Sequence, residues 1–210
     1  MIGNNGCEKC RRTGTKLFLK GDRCNSPNCA MVKKPYAPGQ KAKRRKPPLS
    51  EYGKELAEKQ KLRFWYNLQE RQFAKYVKSI VKKKKEKGSA GDYLIKKLES
   101  RLDNMCYRAG FAPSRAQAKQ MVNHGFFNVN GSPVDIPSYE TKTGDVISVR
   151  PGKKKKKAFQ DWSERIKNYT PPSWISLDKK KMEAKIAGEV VFDDVAPPVE
   201  ISSVFEFYSR

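Results

Sequence analysis

The sequence predicts an α+β fold. It reads as a metal-clasped basic N-terminal region (1–46), a small helical domain (47–93), an inserted module of two helices plus a small antiparallel sheet (94–152), and a C-terminal segment (153–210) packing back on the helical domain. Three observations carry this. Cys7, Cys10, Cys24 and Cys29 follow the spacing C-x2-C, thirteen residues, C-x4-C. Apolar residues recur at steps of three or four between about 50 and 124. The turn sequences "NG" and "TGD" then punctuate residues 126–150.

The bulk composition narrows the partners. Lys and Arg number 45 against 22 Asp and Glu, a formal charge of +23 on 210 residues. Such an excess repels itself unless an anion neutralises it: nucleic acid, an anionic membrane surface or an acidic protein. No apolar run approaches the roughly 18 residues of a membrane span, and no signal-peptide pattern precedes the first cysteine. A cytosolic protein with reduced thiols is therefore expected. Five cysteines, an odd number, also disfavour a disulfide framework.

Gly14 and Gly21 bracket "TKLFLK", read as a short strand between the two cysteine pairs. Four thiolates converging on structural Zn2+ at about 2.3 Å each supply folding free energy that a scant core does not. Arg11, Arg12, Lys20 and Arg23 offset their charge. Four protein ligands leave no open position for catalysis; an iron–sulfur cluster uses the same ligands and stays open. Cys106, alone in a helical pattern, reads as a small buried residue. Residues 1–46 hold 13 Lys or Arg and 2 acids, and "KKPYAPGQKAKRRKPP" reads as an extended arm lying along phosphates.

Ser50 is a good N-cap for a helix through "EYGKELAEKQKLRFWY". Asn67 breaks it and is expected to cap a second helix, with Glu70 completing a box and Leu68, Phe73, Val77, Ile80 and Val81 facing the core. The run Lys82–Lys85 ends that helix. From about Ser89, Leu94, Leu98, Leu102, Met105 and Ala109 form one continuous apolar face, stopped by Gly110. Ser114 caps a short helix closed by Gly125. A hairpin at Asn130–Gly131 and the strand "VISVR" follow. After five lysines, 153–157, a helix is expected around Phe159–Asn168. Residues 183–210 reverse sign, with six acids against two cations, and suit packing on a cationic surface.

The helix after Ser114 is the informative one. Ala118, Met121 and Val122 face inward, while Arg115, Lys119 and Asn123 step by four along another face, near Gln117 and Gln120. Arg101 and Arg108, seven apart, fall on one side of the preceding helix. Cations and amides beside a glycine suit a folded RNA backbone, which is read by shape, phosphate and 2′-hydroxyl.

At these residues, "ESRLDNMCYRAGFAPSRAQAKQMVNHGFFNVNGSPVDIPSYETKTGDVISV" resembles the small RNA-binding module named after ribosomal small-subunit protein four. "EKQKLRFWYNLQERQF", "PYAPGQ" and "FEFYSR" are similar to other motifs of that ribosomal family, bacterial type, and the four cysteines to its zinc-binding version. The resemblance runs almost end to end. It implies a non-enzymatic constituent of the small ribosomal subunit in the cytoplasm. That constituent binds small-subunit ribosomal RNA (rRNA), nucleates assembly of the subunit body and affects translational accuracy. It would lie where messenger RNA (mRNA) enters, beside ribosomal small-subunit proteins three and five, with no membrane and no small-molecule substrate. By matching positions, the RNA-facing residues would be Arg101, Arg108, Ser114, Arg115, Gln117, Lys119, Asn123, His124 and Gly125, with Lys43, Arg44, Arg45, Lys61, Arg63 and Arg71. The family carries glycine where Asn67 stands, and Asn also adopts left-handed geometry, so that turn is expected to survive.

Two other classes compete. The module also occurs in RNA-modifying enzymes, but this chain has one histidine, His124, and no visible nucleophile–base set. A zinc-containing nucleic-acid-binding regulator would need a recognition helix attached to its metal site, and thirteen glycine-broken residues between the cysteine pairs are too short for one.

Overall fold

A computed structural model describes residues 6–39, 48–82 and 89–209. The expected arm contacts at Lys43, Arg44 and Arg45, and the end of the Lys82–Lys85 run, lie outside the described residues. The chain divides into two compact units, one of residues 1–94 with 196–210 and one of residues 95–195.

The first unit begins with α1 (Gly6–Thr13), α2 (Asp22–Asn25) and α3 (Ala30–Lys33). The expected strand at "TKLFLK" is not formed. Leu17 is fully buried, and Phe18 takes φ 52°, a left-handed geometry that ends any strand. Two helices form the body of this unit, α4 (Glu51–Trp65) and α5 (Glu70–Lys82). The Ser50 hydroxyl accepts the Gly53 N–H at 3.3 Å, as its N-cap position predicts.

Asn67 departs from its expected role. It sits after α4 with φ 55°, so the left-handed turn is kept without glycine, but it does not cap α5. The first helical bond of α5 comes from Phe73 N–H to Gln69 O. Glu70 is drawn instead to Lys59, at 2.7 Å. Leu68, Phe73, Val77 and Ile80 are buried as expected, while Val81 is half-buried.

The unit is completed by α11 (Ile201–Ser209), which lies on α4 and α5. Ile201 and Val204 enter the core, each contributing about 1.5–3 kcal/mol of burial. Phe207 meets the Tyr52 ring at 5.5 Å. Tyr208 donates to Glu70 Oε1 at 2.9 Å, and Lys59 stands 4.4 Å from the Phe207 ring centroid.

The second unit opens with α6 (Ala90–Glu99, begun in the first) and α7 (Leu102–Arg108). A continuous helix was expected here. It breaks because Arg101 turns extended (φ −68°, ψ 137°) and bridges to Glu140 in antiparallel pairing. Ser100 O accepts both the N–H and the hydroxyl of Thr141 at 2.8 Å. The apolar face from Leu94 to Ala109 is buried nonetheless. Gly110 (φ 78°) closes α7 where a Cβ would lie 2.7 Å from Ile166 Cδ1, so both conformation and space require glycine.

Then come α8 (Arg115–Asn123), β1 (Phe127–Val129), β2 (Ser132–Pro133) and β3 (Val146–Val149). Asn130 and Gly131 both have positive φ, 50° and 81°, as a two-residue hairpin turn needs. Two 3-10 turns (Pro151–Lys153, Lys157–Phe159) lead to α9 (Trp162–Lys167), β4 (Ile175–Asp178), β5 (Glu183–Ile186) and α10 (Phe192–Val195).

The sheet has the antiparallel order β2-β1-β3-β5-β4, with Ile147 opposite Ala184. The C-terminal expectation is therefore corrected: residues 153–195 belong to the module's unit, where β4 and β5 extend its sheet, and only 196–210 join the helical unit. The Phe111 ring lies 5.6 Å from Phe127 and 6.1 Å from Trp162, whose indole N–H donates to Gly110 O. Cys106 is fully buried, as expected. Among the described residues, no helix is long and apolar enough to cross a membrane.

Candidate nucleic-acid interface

Residues expected to face RNA divide into an inner and an outer set. Glu99, fully shielded from solvent, is the organising group of the inner set. Arg108 donates Nε and Nη2 to its two oxygens at 2.9 Å each. Arg115 Nη2 lies 3.8 Å from Glu99 Oε1, and its Nε donates to Asn104 Oδ1 at 2.7 Å. The Arg115 guanidinium also stands 4.6 Å from the Tyr107 ring centroid. Arg101 pairs with Asp103, at 2.8 Å from Nη2, and is 2% exposed.

The outward direction read for Arg101, Arg108 and Arg115 is corrected accordingly. One buried carboxylate inside the α6–α8 corner draws two cations inward, and the break at Arg101 turns the third toward Asp103. Desolvated guanidinium groups need such partners. Of the three, Arg115 links α8 to Asn104 of α7 and to Glu99 of α6, and Arg108 links α7 to α6.

The outer set follows α8 from its N-cap, Ser114, to the turn at Gly125. Ser114 accepts the Gln117 N–H at 3.3 Å and caps the helix, with both side chains withdrawn from full exposure. Asn123 and His124 are exposed, as is Gln120, and Lys119 is half-buried. Burial holds the Lys119 ammonium below its ordinary pKa, with Asp103 opposing and Arg101 reinforcing. Gly125 (φ 63°) turns the chain toward β1, and a Cβ there would lie 3.0 Å from Arg150 Nη1.

Arg150 was missed by the sequence reading. Its N–H pairs with Phe126 O and its Nε donates to Asn128 Oδ1 at 3.0 Å. Lys153 sits 5.1 Å from the Phe126 ring centroid. Both cations thus stand beside the glycine turn. The register Phe127↔Val149 places them there, and was readable once the hairpin was positioned.

On the helical unit, Lys61 pairs with Glu58, while Arg63 donates to Gln60 Oε1 at 2.8 Å and lies 4.5 Å from the Phe64 ring centroid. Lys9 of α1 approaches the same ring, at 4.9 Å, and burial first, then Arg63, holds its pKa down. Arg71 is exposed. The Lys9–Phe64–Arg63 cluster is a second feature that linear reading missed.

Cys7, Cys10, Cys24 and Cys29 line one small cavity with Lys16 and Lys20, and all are free thiols. Cys24 Sγ accepts the Lys20 N–H at 3.3 Å, a bond that favours thiolate. Burial pushes the Cys10 and Cys24 thiols up, and the neighbouring cysteines push the same way. The donor set fits a soft cation that would relieve that repulsion. Among the described residues, however, no group of three or more His, Cys, Asp or Glu is drawn together closely enough to form a ligand sphere.

Residues 4–99 match the family profile "Ribosomal protein S4/S9 N-terminal domain", and residues 100–147 match "S4 domain". A curated small ribosomal subunit protein uS4 from Acetivibrio thermocellus is 44% identical over 204 residues, covering 97% of this chain and 96% of its own. The chain belongs to the ribosomal protein uS4 family. The uS4 protein of Pelotomaculum thermopropionicum is likewise 44% identical, and that of Thermus thermophilus 45%, with the same coverage. The uS4 family is one of structural ribosomal proteins and not of enzymes, in keeping with the expected class.

Proposed function

We propose that this chain is a structural constituent of the small ribosomal subunit in the cytoplasm and binds its rRNA. What carries the reading is the cationic and amide edge around Gly125, where Lys119, Asn123, His124, Arg150 and Lys153 gather on a frame fixed by buried ion pairs. Such groups serve phosphate and 2′-hydroxyl contact, with little direct base readout. The Lys9–Phe64–Arg63 cluster and Arg71 give the helical unit its own cationic surface. The uS4 resemblance supports the finer reading too. The chain nucleates assembly of the subunit body and lies where mRNA enters, beside small-subunit proteins three and five.

Zn2+ is the proposed structural cofactor, held by Cys7, Cys10, Cys24 and Cys29. When bound, it would tie α1 to the short turns bearing Cys24 and Cys29 and neutralise their thiolates. The chain's own part is to line one cavity with the four cysteines and donate the Lys20 N–H to Cys24, while the ion would draw the sulfurs into a ligand sphere.

Competition binding of the full chain tests the function. Structured small-subunit rRNA should be preferred over duplex DNA of equal length, with affinity falling steeply with salt. Preference for the duplex would favour a nucleic-acid-binding regulator instead.

A further inference from the structure

Two lysine runs, far apart in sequence, meet at one end of the sheet. Lys153–Lys157 occupy the turn after β3, and Lys179–Lys181 form the tip of the β4–β5 hairpin. Lys154 Nζ donates to Lys181 O at 2.8 Å, and Val149 N–H pairs with Met182 O at 3.2 Å. Lys179 Nζ reaches Lys167 O at 3.3 Å. Asp178 fastens the tip: its Oδ1 accepts the N–H groups of Lys180 and Lys181 at 2.9 and 3.1 Å. The Lys181 bond is the main cause holding that carboxyl below the usual range.

Lys154–Lys157 and Lys179–Lys181 are exposed, and Lys153 is half-buried. Asp178 and Glu183 are paired across the hairpin, so eight lysines stand beside two local carboxylates. Among the described residues no ion pair engages any of the eight. A fixed frame therefore holds together cations that repel one another.

We propose that this lysine cluster, which joins the edge around Gly125 at Lys153, extends phosphate binding past that edge to a further stretch of RNA backbone. The partner chemistry follows from residue type. Lysine offers a hydrated point charge without the planar fork that reads a base edge, so it neutralises phosphate without sequence preference. Protein interfaces instead centre on aromatic and Arg anchors and are depleted in Lys. The cluster adds affinity and salt sensitivity, whereas shape selection stays with the α8 edge. The inference rests on the rRNA-binding reading above.

The test is Lys155→Gln/Lys156→Gln/Lys180→Gln in the full chain, which leaves the tethering Lys154 and Lys179 intact. Binding to small-subunit rRNA and to an unrelated structured RNA is measured across a salt series. The slope of log K against log salt should shallow by about two to three, at roughly 0.9 per lost phosphate contact. Affinity at low salt should fall by about ten- to a hundredfold for both RNAs, and Lys→Arg at the same positions should restore it. In the wild-type complex, acetylation of Lys155, Lys156 and Lys180 should be suppressed by RNA. Wild-type binding with an unchanged slope in the variant, or undiminished acetylation, overturns the proposal. So does loss confined to an acidic polypeptide such as polyglutamate. Wild-type chain that ignores rRNA altogether overturns the parent reading and this one with it.

Discussion

Arg108 clasps Glu99 through two parallel hydrogen bonds of 2.9 Å, and the Glu99 side chain has no solvent exposure. Asn104 Nδ2 donates to the same carboxylate, and Arg115 approaches it from α8. Glu99→Ala leaves two guanidinium groups without their shared acceptor. Loss of about 3–5 kcal/mol is expected, the range for removing one partner of a buried pair. Urea unfolding checks this; a change under about 1 kcal/mol would show that water fills the gap freely.

Arg115 and Lys119 are one helical turn apart but should fail in opposite ways. Arg115→Ala deletes the bond to Asn104 and the approach to Glu99, so it should lower the melting temperature, with RNA affinity falling as the corner loosens. Lys119→Ala removes a half-buried cation at the outer edge. It should leave melting nearly unchanged while weakening rRNA binding by about 1–2 kcal/mol, roughly one charge-assisted contact. Parallel melting and titration of both variants separate scaffold from contact. Equal melting of both would contradict the division.

That division was only partly legible in the sequence. Ser50 and Ser114 as N-caps, Gly110 and Gly125 as stops, and the Asn130–Gly131 turn were readable, because a few adjacent residues settle each. The inward turn of the arginines was not. For Arg108 and Arg115 it depends on one acid, Glu99, whose burial arises only when α6, α7 and α8 have packed, and for Arg101 on the break that brings it to Asp103. Strands β4 and β5 were also missed, since Pro171, Pro172 and three lysines obscure a short alternation that pairs with β3 only after a long loop. Asn67 shows a milder case: its left-handed turn was foreseen, but Glu70 was drawn by Lys59, an ion pair no local motif encodes.

Zinc binding makes a prediction of its own. Purified chain should carry close to one zinc per molecule, and Cys24→Ser should lower that content sharply. Strong chelation should raise amide exchange in residues 6–39 while residues 95–195 keep their protection, since the sheet unit contains none of the four thiols. Iron with a visible charge-transfer band would replace zinc by a cluster. Full protection of residues 6–39 in metal-free protein would show that Leu17 and its neighbours suffice as a core.

The C-terminal helix should report acid through Glu70. Burial alone would raise the Glu70 pKa, but hydrogen bonds from Lys59 and Tyr208, with the charges of Lys59 and Arg63, carry it below the ordinary value. A carboxyl depressed in the folded state contributes stability that is fully present above its unfolded pKa, about 4.3. That stability is lost as pH falls through the folded value. Because the Glu70 side chain is 45% exposed, the contribution is screened and should be about 1 kcal/mol or less. Tyr208 does not add to the acid limb. Burial and the bond to Glu70 push its phenol up, so it remains a neutral donor throughout. Urea midpoints of wild type and Glu70→Gln should differ at pH 6–7 and draw together as pH falls from about 4.3 through the depressed folded value. Amide exchange along Ile201–Ser209 should rise first over the same range in the wild type, as the bond tethering Tyr208 weakens. Curves that stay parallel to pH 3 would mean that Ile201 and Val204 hold α11 in place without help from Glu70.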